Sequence, residues 1–160
     1  MSGPTGPAGR VVVAGMGSEY RRDDGAGPAV ADEVARLVTG VTHLGPLADP
    51  LDLLGLWDGA ALAVVVDAVR SGAEPGTVRV IHLDDASTGP DQGTGPTSTH
   101  GISVAGALRL ARAVGSAPRR VVVVGVEGDD FSQGLGLSPA VGRAVPEAAR
   151  AVAELIGEFD

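Results

Sequence analysis

The stretch 61-ALAVVVD-67 runs six apolar residues and then, without a turn residue between, a carboxylate. An apolar run with no polar alternation marks a strand covered on both faces, because each face then needs an apolar side chain. Two other stretches share this character. Residues 10–14 (RVVVA) end at Gly15, and residues 119–126 contain VVVVGV, the most hydrophobic strand of the chain. Helical patterns lie between and after them. Val30, Val34, Leu37 and Val38 mark an amphipathic helix stopped near Gly40, and Ile102, Ala105, Leu108 and Ala111 pattern a second. Ser138 and Pro139, a cap and a first-turn proline, open a third along Val141, Val145, Ala148, Val152 and Leu155. Pro146 falls inside that last stripe and is expected to break or kink it. Strands alternating with helices predict an α/β fold of three layers with a mostly parallel sheet.

The remaining segments fill in the order. Val41–Leu44 reads as a short strand, and Pro50–Trp57 as a short helix with Asp49 as N-cap. Ser71–Gly76 is a turn leading to a strand at Thr77–Leu83. That connection is too short for a crossover helix, so the fourth strand is expected to run antiparallel to the third. Asp84–Thr97 is a loop of Gly, Pro, Asp and Thr, a candidate mobile cover. Residues 1–9 read as a disordered tail and residues 10–158 as one domain; no internal repeat is present.

Composition narrows the function. The 160 residues are 44% hydrophobic but only 2% aromatic, so Val, Leu, Ile and Ala must build the core, which favours close-packed layers of helix on sheet. All 12 basic residues are arginine, and the net charge of −8 argues against nucleic acid or an anionic membrane as partner. There is no cysteine, which excludes disulfides, Cys-ligated zinc, iron–sulfur clusters and thiol nucleophiles. No stretch approaches the roughly 18 apolar residues of a membrane span, and no secretory signal follows Met1, so a cytoplasmic location is expected.

In an open α/β sheet ligands bind beyond the carboxyl ends of the strands. The loop after the first strand carries Asp23 and Asp24, the third strand ends at Asp67, and the loop after the fourth ends at His100. Each has a plainer reading. Either aspartate of the pair can cap the helix that follows, and His100 can be a solvated loop residue. Asp67 is harder to dismiss, since a carboxylate closing an apolar strand bears a desolvation cost. His43, on an expected edge strand, and His82, in the fourth strand, read as structural. Together, Asp24, Asp67 and His100 would give two oxygens and one nitrogen, a facial set for a divalent first-row metal with positions left open. A nucleotide site fits poorly: Gly15-Met16-Gly17 begins G-x-G-x-x-G but Tyr20 occupies its third glycine, and a chain without lysine has no Walker motif. No G-x-S-x-G is present for serine catalysis.

Four blocks in order resemble the hydrogenase maturation endopeptidases: VVVAGMGSEYRRDDGAGPAVADEV, LAVVVDAVRSGAEPGTV, STHGISVAGALRLA and VVVVGVEGDDFSQGLGLSPAVGRAVPEA. The resemblance implies a five-stranded α/β/α fold, with strand five between three and four and the antiparallel strand four at one edge. It implies a metal-dependent endopeptidase that removes the C-terminal extension of the large subunit of a nickel–iron hydrogenase. By match of motif its metal-binding acid, aspartate and histidine fall on Asp24, Asp67 and His100, and the nickel arrives with the precursor as part of the substrate. Two departures stand out. Ser18 replaces the family's frequent asparagine, and Leu44-Gly45-Pro46-Leu47-Ala48-Asp49 replaces a frequent Asp-Gly-Gly-Thr stretch in a loop expected to touch substrate. Two alternatives stay open, a nickel-checking chaperone that does not cut and a peptidase of the same fold with another protein substrate; a nucleotide-binding module is disfavoured by the missing glycine.

Overall fold

The computed structural model describes residues 9–83 and 103–159. In chain order they form β1 (Val11–Met16), a 3-10 turn (Arg22–Gly25), α1 (Ala26–Leu37), β2 (Thr42–Leu47), a 3-10 turn (Pro50–Leu53), β3 (Leu62–Val69), β4 (Val78–Leu83), α2 (Val104–Ala113), β5 (Arg120–Glu127) and α3 (Pro139–Phe159). The five strands make one sheet in the order β2-β1-β3-β5-β4. β2, β1, β3 and β5 are parallel, and β4 pairs antiparallel with β5 at the edge. The fourth strand therefore has the expected direction, although its hydrogen-bonded neighbour is β5 rather than β3.

The three apolar runs become the three inner strands because only they can feed two cores at once. Val11, Val13, Leu62, Val64, Val66, Val122, Val124 and Val126 turn toward α1 and α3. Val12, Ala14, Met16, Ala63, Val65 and Val121 turn toward α2, Leu53 and Trp57. The side-chain period of two then assigns Asp67 to the α2 face, in line with Ala63 and Val65. Contact between α1 and the sheet is close enough to exclude any side chain at Gly27: a Cβ there would lie 2.3 Å from the Met16 carbonyl oxygen and 2.5 Å from that of Val66. The start of α1 is thus seated on the carboxyl ends of β1 and β3.

Several boundaries differ from the sequence expectation. β2 runs Thr42–Leu47, so residues 44–47 of the expected substrate loop belong to a strand, joined to β1 through the Gly17 N–H donating to the Leu47 carbonyl at 2.8 Å. β3 continues past Asp67 to Val69 because its pairing with β5 persists through Val69 opposite Glu127. The buried stripe of α2 is Val104, Ala107, Leu108 and Ala111, with Ala105 at its margin; Ile102 lies outside the described residues. Asp49 does cap, its Oδ1 accepting from the Leu51 N–H at 2.9 Å, over a single 3-10 turn. Pro146 does not break α3, which is one helix from Pro139 to Phe159. Its exposed position leaves the Gly142 carbonyl, also on the exposed side, to water, while Val141, Ala144, Ala148 and Val152 hold both halves on the core. The Asp84–Thr97 cover, His100 and residues 1–8 of the expected tail lie outside the described residues.

Candidate metal-recognition site

After β1 the chain turns back toward β2, and after β3 it travels the other way, toward β5 and β4. Connections that diverge from adjacent parallel strands open a crevice between their carboxyl ends, the usual ligand position in such sheets. Asp24 and Asp67 flank that crevice. Asp24 sits in the 3-10 turn after β1, and Asp67 near the end of β3 opposite Gly125 of β5.

The loop carrying Asp24 is closed on itself. Gly17 takes a φ of 116°, which side chains other than hydrogen rarely allow, and a Cβ there would fall 2.0 Å from the Asp24 carbonyl oxygen. Its neighbour Ser18 donates its backbone N–H to Asp24 Oδ2 at 2.8 Å. Because that contact is made by the backbone, a serine can stand where asparagine is frequent without releasing Asp24; the Ser18 hydroxyl instead accepts from the Tyr20 N–H at 3.1 Å.

Asp67 is electrostatically unusual. Burial of its carboxyl, then the negative charge of Asp24, push its pKa up to about 8, against which a backbone hydrogen bond at Ala68 acts in part. The effect of Asp24 means that the two carboxylates lie within reach of each other's field. Among the described residues neither takes part in an ion pair. Two acids with no cation between them strain the ionised state, which a proton on Asp67 or a divalent ion between the two would relieve. His100, the expected third ligand, lies outside the described residues, three positions before Ser103, the N-cap of α2, whose Oγ accepts from the Gly106 N–H at 3.0 Å. Among the described residues no three His, Asp or Glu side chains converge on one point. His43 is exposed on edge strand β2, and His82 is exposed on the opposite edge strand β4.

Asp23 has a different task from its neighbour, and a different one from capping the helix it precedes. It is fully buried. Its Oδ2 accepts from the N–H groups of Asp129 (2.8 Å) and Asp130 (2.9 Å) and from the Ser138 hydroxyl (2.8 Å), and its Oδ1 accepts from the Ser138 N–H at 2.7 Å. Burial alone would raise its pKa, but these donors outweigh it and hold the carboxyl below the ordinary value. Asp23 thus joins the Asp24 loop to the β5–α3 loop and to the start of α3, while α1 begins without a side-chain cap.

One more acid, not among the candidates from the sequence, anchors a loop at this end of the sheet. Glu127, 3% exposed at the end of β5, accepts from the Ser71 N–H (2.9 Å), the Ser71 hydroxyl (2.6 Å) and the Gly72 N–H (3.2 Å), fixing the loop that follows β3. The signal was available, since Glu127 closes an apolar run just as Asp67 does.

Known proteins bear on this arrangement. The sequence profile described as HycI, hydrogenase maturation protease, matches residues 45–155, a span that includes Asp67 and His100. Comparison with curated proteins returns no match. Among solved structures, the hydrogenase maturating endopeptidase HybD from Escherichia coli superposes with a TM-score of 0.79 at 23% identity, covering 93% of each chain. The nickel–iron hydrogenase maturation protease HybD from Thermococcus kodakarensis gives 0.74 at 24% identity, over 92% of this chain and 99% of that one. A hydrogenase 2 maturation peptidase from a Thaumarchaeota archaeon gives 0.68 at 25% identity, over 92% and 98%. The structures share the fold and the profile spans most of the sequence: the chain belongs to the hydrogenase maturation protease family.

Proposed function

We propose that this chain cuts the C-terminal extension from the nickel-loaded large-subunit precursor of a nickel–iron hydrogenase, with Asp24, Asp67 and His100 as the side chains that recognise the substrate's metal. The observation that carries this reading is the juxtaposition of Asp24 and Asp67 at the switch point, neither of them in an ion pair among the described residues. The donor set suits a visiting ion. Two carboxylate oxygens and an imidazole, without a thiolate, hold nickel modestly and leave coordination positions for ligands that remain on the substrate. Such an ion supplies Lewis acidity and a template at the scissile bond.

The chain's own residues do the rest. Asp24 is held by the Ser18 N–H through Oδ2, which leaves Oδ1 available to a metal in this reading. Asp67, with its pKa raised to about 8, is the candidate general base in its ionised form, which can accept a proton from an attacking water when the carboxylate is not a metal ligand. With a net charge of −8, the partner in this reading is the precursor polypeptide, and not nucleic acid, a nucleotide or a membrane. No described helix is long and apolar enough to cross a membrane. The compartment of the reaction in this reading is the cytoplasm.

The test is to incubate the purified protein with nickel-loaded precursor and follow the mass of the large subunit. Loss of a C-terminal peptide is expected, together with its absence for metal-free precursor and for Asp24→Asn, Asp67→Asn and His100→Gln variants that retain the native fold. Binding without any loss of mass would favour the non-cutting chaperone. Near-normal processing by the three variants would overturn the ligand assignment.

A further inference from the structure

Three residues beyond Asp67 the chain leaves β3 at Arg70, whose guanidinium carbon lies over the Phe131 ring, 4.5 Å from its centroid. Phe131 is seated on Gly128: a Cβ at that glycine would fall 2.5 Å from the ring Cζ and 3.3 Å from Asp23 Cβ. A path of contacts therefore runs from Arg70 through Phe131 and Gly128 to Asp23, the residue next to Asp24. Both loops in this path are pinned by buried carboxylates. Glu127 holds Ser71 and Gly72 beside Arg70, and Asp23 holds Asp129 and Asp130 beside Phe131.

Arg70 is exposed and, among the described residues, forms no ion pair. Arg22, another arginine tied to the same β5–α3 loop, is already engaged by Asp130 at 3.8 Å and by the Leu135 carbonyl at 3.2 Å. A guanidinium lying on a ring face keeps its N–H donors, which point outward in the guanidinium plane and match the two oxygens of a carboxylate. On a chain of net charge −8, an oriented cation with no ion pair among the described residues is a local reversal of sign, three residues past Asp67 at the carboxyl end of β3.

We propose that Arg70 is a specificity-determining residue that takes a carboxylate of the precursor's C-terminal extension, anchoring the segment to be removed while the acid pair holds the metal. This rests on the function proposed above and adds to it the chemical group that the extension must present. That carboxylate belongs either to an acidic side chain of the extension or to its chain terminus.

Steady-state processing of nickel-loaded precursor by the unaltered protein, Arg70→Ala, Arg70→Lys and Phe131→Leu tests the assignment. Arg70→Ala should raise KM about tenfold, equivalent to about 1.4 kcal/mol, with kcat changed by less than about twofold. Added salt should shrink the difference, Arg70→Lys should recover part of it, and Phe131→Leu should raise KM by less. Two altered precursors locate the partner: one with the acidic residues of its extension changed to amides, the other with two glycines added after its terminus. Whichever abolishes the difference between the unaltered protein and Arg70→Ala carried the carboxylate. Equal KM values for these two proteins, or a difference that survives both precursor changes combined, would overturn the proposal. Failure of the unaltered protein to shorten any precursor would instead overturn the processing function, and this assignment with it.

Discussion

Asp23 and Asp24 are adjacent in the chain, and their surroundings send them to opposite tasks. Asp23 spends both oxygens on four donors from the β5–α3 loop and the start of α3, whereas Asp24 accepts one backbone N–H and acts on Asp67 through its charge. Removing the Asp23 carboxylate by Asp23→Ala would leave buried donors unsatisfied and should cost roughly 3 kcal/mol in urea unfolding; Ser138→Ala, which removes one hydroxyl donor, should cost about 1 kcal/mol. Asp67 predicts a pH dependence of known sign. Its folded pKa of about 8 lies above the ordinary 3.8, so the folded state binds more protons than the unfolded chain between those values. Its contribution is therefore fully present at low pH and is lost as pH rises toward and through about 8. Denaturant midpoints should fall between pH 5 and pH 8.5 by more in the unaltered protein than in Asp67→Asn; equal slopes would contradict the burial of this carboxyl. A DD pair before a helix reads as a cap in sequence. The family resemblance alone set Asp24 apart from Asp23 in the sequence; what holds Asp23 emerges only where the β5–α3 loop, more than a hundred positions away, closes on it.

Elements whose cause is local were readable in the sequence, and those with a tertiary cause were not. The continuous runs 11-VVVA-14, 62-LAVVV-66 and 121-VVVV-124 gave three inner strands because burial on both faces leaves no room for alternation. The short link after β3 gave the direction of β4, but its place beside β5 depends on which strand fills the gap, and only the family resemblance indicated that. β2 outran its expected span because pairing to β1, not propensity, carries it through Gly45 and Pro46. Pro146 is the clearest override. Intrinsic preference argues for a helix end there, and the packing of Val141, Ala144, Ala148 and Val152 outweighs it. That position thus carries a removable cost. Pro146→Ala restores a backbone donor for the Gly142 carbonyl on the exposed face and should stabilise the fold, by up to about 3 kcal/mol from helix preference alone. A lowered melting temperature would show that the proline is required by packing.

At the scale of the whole molecule, topology rather than proximity in sequence makes the site. The order β2-β1-β3-β5-β4 sets β1 and β3 side by side while sending their following segments in opposite directions, so an acid after one strand and an acid ending the other meet at one crevice. Sequence reading could nominate Asp24 and Asp67, because acids at the carboxyl ends of apolar strands are few. It could not supply the field between them, which needs the sheet. Carbon-13 NMR titration of the Asp67 carboxyl in the unaltered protein and in Asp24→Asn measures that field directly. A pKa near 8 is expected in the unaltered protein, falling in Asp24→Asn yet staying above 3.8 because burial remains. A value near 4 in both proteins, or one indifferent to Asp24, would mean that the two carboxylates do not share a site.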